Sequence, residues 1–250
     1  MSGRTAKAQR QAERAASEDV TAIVIATAER VLAFDFAGVP VTRVTQFVVG
    51  WIRAAFEQSR IIAVLKRTGL AHAGAPNRRS FAEILVRFQW LYAMDATNRL
   101  NALDAMIEDE KRLERNFYRN LAEMGYDSDV DLSDVEAVIT EAISEKELAS
   151  QAKSFLAAAK ATEGAAVGLY YAWRAETQYM HATAALAAAY APAGTSGDTR
   201  TQPPVIDPDL ETHRMATILA ISLAYGLLVG EGVAPESAKK LVAAFFDGRI

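Results

Sequence analysis

An all-α fold follows from three observations. Apolar residues recur at three- and four-residue spacings in one segment after another. Glycine and proline number only 14 and 7 in 250 residues and fall mostly between those segments, while alanine runs through them. No stretch alternates β-branched and polar residues as a half-buried strand would. The chain therefore reads as a single helical-bundle domain over residues 1–250, with about seven to nine helices and long antiparallel neighbours.

The elements can be taken in order. A long helix is expected from about Thr5 to Asp35, with residues 1–19 a solvated extension and Val20, Ile23, Val24, Thr27, Ala28, Val31 and Leu32 a buried stripe. Gly38 and Pro40 end it. A second helix spans about Val41 to Thr68. Val44, Phe47, Val48, Trp51, Ile52, Ala55 and Phe56 form its apolar face, and Gly69 closes it. A loop containing His72 leads to a third helix near Asn77. Its pattern persists through Leu113, Phe117 and Leu121 to Gly125, which predicts a break between Asp95 and Asn101.

An acidic connector follows, and Ser133 with Glu136 makes a capping-box pattern for a helix to about Ser144. Another helix ends around Thr162. An aromatic helix is then expected from about Gly164 to Ala191. Residues 192–207, rich in Gly, Ser, Thr and Pro, read as a mobile loop. Asp207 and Pro208 open a helix to Val229, and Pro235 opens a last one to about Phe246.

Composition narrows the function classes. The chain is 51% hydrophobic and 23% charged, as globular proteins are. The absence of cysteine excludes disulfides, thiolate metal sites and a cysteine nucleophile, and fits a cytoplasmic setting. A net charge of −4 gives no global pull toward nucleic acid, and there is no DNA signature. No apolar run of export-signal type follows the basic start. The most membrane-like run, Met215 to Gly230, is shorter than the roughly 20 residues a bilayer requires, so no membrane partner is expected.

No metal or cofactor is expected. Counted as a calcium loop from Asp127, the acidic connector places Leu132 where glycine is needed and Val138 where glutamate is needed. The positions three before His72, His181 and His213 are Gly69, Gln178 and Leu210, so no Glu-x-x-His motif exists. Phosphate-cradling glycine loops are missing too.

Two groups of residues could carry chemistry. Arg174 and His181 lie seven residues apart in the aromatic helix, which at about 100° per residue puts them on one face. A guanidinium binds phosphate through paired hydrogen bonds, and an imidazole moves protons near neutral pH. Trp173, Tyr170 and Tyr179 suit a core or subunit interface better than a base-stacking platform. The second group is a basic window, Arg60, Lys66, Arg67, Arg78 and Arg79, with no acidic residue among them. It would form an anion-binding edge or, as its lack of interleaved aromatics suggests, only a helix end and a solvated loop. Arg79 and Glu83, four apart, make a surface ion pair if exposed and mark an internal polar network if buried.

An arginine and a histidine with four to six residues between them, late in an all-helical domain, resemble the motif of the HEPN superfamily of helical nucleases and nucleotide-binding proteins. The layout, with Arg79 and Glu83 early and Tyr170 to His181 later, is also similar to an uncharacterised bacterial HEPN-like family. The resemblance covers about Ser80 to Tyr190, and Ala175 stands where HEPN ribonucleases commonly carry a polar residue. It implies metal-independent RNA cleavage of a toxin or phage-defence type, with sites completed across a homodimer. Arg174 and His181 would then be catalytic, and Arg78, Arg79, Tyr171 and Gln178 would bind substrate. The alternative is a non-enzymatic helical interaction or ligand-binding protein in which His181 is structural.

Overall fold

The structure is a computed structural model that describes residues 20–126, 146–162, 164–165, 167–183 and 209–247, with Ser133, Ala137, Val138, Thr140, Leu186 and Ala187. The expected extension at 1–19, the capping box at Ser133 and Glu136 and the loop at 192–207 fall outside the described residues, Ser133 excepted. Every regular element among the described residues is helical, as the composition predicts.

Helix α1 occupies residues 20–32 and buries Thr21, Val24, Thr27, Ala28 and Val31. Ile23, expected on that stripe, is exposed. Helix α2 is Arg43–Arg67. Its start is fixed by a reciprocal box: the Thr42 hydroxyl accepts from the Thr45 amide, and the Thr45 hydroxyl accepts from the Thr42 amide. Gly69, at φ 77°, closes the helix in the left-handed conformation that glycine adopts without strain.

A short 3₁₀ turn, Ala71–Gly74, leads into α3, Ala75–Tyr92, with Pro76 in the first turn. The expected break after α3 falls at Ala93 and Met94. Asp95 then caps α4, Ala96–Glu123, by accepting from the Asn98 amide. Helix α5, Lys146–Lys153, and α6, Phe155–Ala161, divide a segment that the apolar pattern presents as one helix. Ser154 causes the division: its hydroxyl accepts from the Ala157 amide and starts a new helix.

Helix α7 is Val167–Thr177, well short of the expected end at Ala191. Helix α8, Leu210–Gly230, is capped by Asp209 rather than Asp207. Helix α9 is Pro235–Phe245. Helix α8 has 21 residues and a mean hydropathy of 1.4 over its most apolar stretch, so by length and composition it could cross a membrane. The shorter run read from sequence left out its first turns. In the fold, Ala220, Ile221, Ala224, Leu227 and Leu228 of α8 are buried in the core.

That core is formed by α2, α3 and α8, with α1, α4 and α9 around it. Ile52, Phe56, Phe88, Trp90, Leu91, Ile221 and Leu227 are fully enclosed. Each such side chain contributes roughly 1.5–3 kcal/mol relative to exposure. Helix α4 shares this core only in its first half. Beyond Lys111 it carries Leu113, Phe117 and Met124 exposed.

Three cations hold the periphery, two of them by satisfying helix ends. Arg30 donates to the Ala244 carbonyl at 2.9 Å and the Phe245 carbonyl at 3.0 Å, at the end of α9. Arg87 donates to the Gln151 carbonyl at 3.1 Å and the Ala152 carbonyl at 2.8 Å, at the end of α5. Lys111 donates to Glu108 at 3.0 Å and to the Val138 carbonyl at 2.6 Å. Arg43 at the start of α2 pairs with Asp104 of α4, whose side chain is only 1% exposed.

Candidate functional site

Helix α7 lies along α3, and the two are joined by a layered polar and aromatic seam. Arg78 donates from Nε to Glu176 Oε1 at 2.7 Å, from Nη2 to Glu176 Oε2 at 2.8 Å, and from Nη1 to the Ala71 carbonyl at 2.8 Å. At the next residue, the Arg79 guanidinium sits 5.0 Å from the Trp173 ring centre and approaches the Met180 sulfur at 3.2 Å. Trp173 Nε1 donates to Glu83 Oε2 at 3.2 Å. Trp173 also packs on Phe155 of α6 at 4.5 Å and on Tyr170 at 5.7 Å. Arg79 and Glu83 thus meet through Trp173, in the internal network that their spacing allows.

This seam corrects the expected basic edge. Arg78 is taken up by Glu176 and Arg79 by Trp173 and Met180, while Arg60 pairs with Glu57 at 2.6 Å. The Arg79 Nε proton is buried without a partner among the described residues. Both guanidinium groups are thus engaged within the fold. Tyr170 and Trp173 are partly buried and pack against the small cluster of Val86, Phe155 and Ala159.

The shared helix face of Arg174 and His181 is also corrected. Helix α7 ends at Thr177, and three-residue turns follow: the Gln178 amide donates to Ala175, Tyr179 to Glu176 and Met180 to Thr177. The Thr183 hydroxyl closes the bend by donating to the Gln178 carbonyl at 2.5 Å. Arg174 is therefore helical and His181 lies in the bend beyond. The structure does place Tyr171, Arg174, Gln178 and His181 all on the exposed side, Tyr171 with 76% of its surface open. None of the four side chains has a hydrogen bond or ion pair among the described residues. His181 is thus exposed rather than packed into the core.

The third histidine behaves oppositely. His213 Nε2 lies 2.8 Å from the Ser59 hydroxyl, and the ring packs 4.5 Å from that of Phe81. Burial, helped by the positive charge of Arg78, lowers its pKa to about 4, so it is neutral at physiological pH. Ser59 is only 1% exposed, which keeps this Ser–His pair from reaching a substrate.

A concave site adjoins the seam at Glu83, where α2, α3, α4 and α5 surround a cleft. One chamber, of about 430 Å³, is bounded by Trp51, Ser80, Glu83, Arg87, Asp109 and Glu110, among others. A second, of about 500 Å³, is bounded by Phe47, Trp51, Met106, Ile107, Glu110, Lys111 and Val138. Trp51, Met106 and Glu110 belong to both, so the two adjoin. Trp51 is held upright by edge contacts with Phe47 at 5.4 Å and Phe88 at 5.9 Å. Burial lowers the pKa of Arg87 below its ordinary range, against the negative potential of Glu83, Asp109 and Glu110.

The sequence places Trp51 on the apolar face of its helix but does not reveal the cleft. Nothing in the spacing marks where a bundle opens, and its carboxylates come from helices distant in sequence. Among the described residues there is no group of His, Asp and Glu that could hold a metal ion. No protein-family model, curated protein or solved structure compared with the chain matches it.

Proposed function

We propose that this is a helical ligand-binding protein whose site is the cleft between α2, α3, α4 and α5. The carrying observation is the pair of adjoining chambers of about 430 and 500 Å³, polar at one end and aromatic and aliphatic at the other. Their size falls in the range of small-molecule sites, and the second chamber has the mostly apolar lining with a few polar groups that such sites show. The test is titration of the full chain with Nile red, a neutral apolar dye. Saturable fluorescence enhancement that is lost when Met106→Trp fills the chamber supports the reading. Ile107→Trp serves as the second filling variant if Met106→Trp lowers the melting temperature. Absence of saturable binding, or equal binding by both filled variants, rejects it.

The exposure of Arg174 and His181 without partners favours a second reading, the HEPN-like metal-independent ribonuclease. In it a homodimer in the cytoplasm would bind RNA along Tyr171, Arg174 and Gln178. His181 would move the 2′-hydroxyl proton, and Arg174 would stabilise the phosphorane charge. Cleavage of RNA in the presence of a chelator, lost on His181→Ala with the melting temperature unchanged, supports this reading. Cleavage that survives His181→Ala, or no cleavage by the dimer, removes it.

A further inference from the structure

The chemistry of the cleft narrows what it would hold, on the premise that it is a ligand site. Three carboxylates face the polar chamber: Glu83, Asp109 and Glu110. Two cations oppose them, Arg87 and Lys153. Arg87 is spent on the carbonyl oxygens of Gln151 and Ala152 at the end of α5, a helix terminus that itself carries partial negative charge. Lys153 is exposed at the rim. Glu83 gives one oxygen to Trp173, and Asp109 gives one to Arg112 at 2.7 Å.

Glu110 differs from these. It is exposed, it has no hydrogen bond or ion pair among the described residues, and it borders both chambers beside Trp51. A free carboxylate and an indole that line the same chamber are the pair of groups that recognises an organic ammonium, by ion pairing and by attraction to an aromatic ring. The adjoining chamber, lined by Phe47, Met106 and Ile107, offers apolar contact, and its one cation, Lys111, is already engaged by Glu108 and the Val138 carbonyl.

We infer that the cleft takes a hydrophobic cation, an alkyl- or arylammonium compound. Its ammonium group lies between Glu110 and Trp51, and its apolar body lies along Phe47, Met106 and Ile107. An anionic ligand of the same shape is disfavoured, because it would meet the unpaired Glu110 while Arg87 and Lys111 are already engaged by protein oxygens.

Three matched probes test this by calorimetry on the full chain: 4-phenylbutylamine, 4-phenylbutanol and 4-phenylbutyrate. The amine is expected to bind about tenfold more tightly than the alcohol, the equivalent of one favourable charge contact, with the carboxylate weakest. Glu110→Gln removes the preference for the amine and leaves the alcohol unchanged, whereas Met106→Trp or Ile107→Trp weakens both. Equal binding of amine and alcohol, a preference for the carboxylate, or an amine preference that survives Glu110→Gln overturns the cation assignment. If in those cases Nile red still binds and is still lost on filling, the ligand site stands without it. Failure of all three probes while Nile red binds also overturns the cation assignment, and failure of the dye as well overturns both.

Discussion

Arg78 of α3 and Glu176 of α7, 98 positions apart, meet through two parallel hydrogen bonds of 2.7 and 2.8 Å. Their side chains are 11% and 19% exposed, so each would be left largely desolvated if its partner were removed. Breaking a buried pair costs about 3–5 kcal/mol, and the remaining solvent access reduces that here to about 2–3 kcal/mol. Arg78→Ala and Glu176→Gln should each lower the unfolding free energy by this amount in urea. Arg78→Met combined with Glu176→Leu should recover most of it, since no charge is then stranded. Single variants that cost under about 0.5 kcal/mol would show that the pair does not fasten α7 to α3.

Arg174 and His181 should behave in the opposite way. They are exposed and make no bond among the described residues, so Arg174→Ala and His181→Ala should change stability by less than about 0.5 kcal/mol. Thermal denaturation checks this. A loss above about 1.5 kcal/mol for either would assign it a structural task, and a concurrent loss of RNA cleavage would then say nothing about chemistry.

His213 predicts a pH dependence. Its folded pKa of about 4 lies below the ordinary 6.5, so protonation favours the unfolded chain. Its contribution is complete above pH 6.5 and is lost as pH falls toward 4. The groups facing it are the Ser59 hydroxyl, the Phe81 ring and the Arg78 charge, and none of them favours an imidazolium over a neutral ring as a carboxylate would. The shift corresponds to about 3 kcal/mol. Carboxylates lose stability over the same range, so the measurement is the difference between the native chain and His213→Gln. The native chain should lose about 2–3 kcal/mol more than the variant between pH 7 and pH 4. Parallel pH profiles would contradict the buried neutral histidine.

Most of the fold is legible in the sequence because it depends on local rules. The apolar faces of α2 and α3, the glycine stop at Gly69, the break before α4 and the Pro235 start all follow from periodicity and breakers. Ser154 hid a break, because a serine inside an alanine-rich helix is unremarkable until its hydroxyl is seen to cap. The end of α7 at Thr177 was equally hidden, since alanines on both sides of His181 sustain a helical pattern. That single boundary undid the shared face of Arg174 and His181. The fates of Arg78 and Arg79 were invisible for another reason: Glu176, Trp173 and Met180 lie about a hundred residues away, and only packing brings them near.

Gly226 gives a prediction whose sign depends on its neighbour. A Cβ placed there would lie 2.5 Å from Cε2 of Tyr92, closer than any real contact. The Tyr92 ring is half exposed and can swing outward, so Gly226→Ala should cost about 1–2 kcal/mol rather than unfold the chain. Glycine in a helix interior is itself less favourable than alanine by about 1 kcal/mol. In a Tyr92→Ser background the clash is gone and only the helix preference remains. Gly226→Ala should then raise the unfolding free energy by about 0.5–1 kcal/mol. A double-mutant cycle in urea reads both values. A coupling energy near zero would mean that Tyr92 does not lie over Gly226, and that α3 and α8 approach each other less closely at this point than the geometry requires.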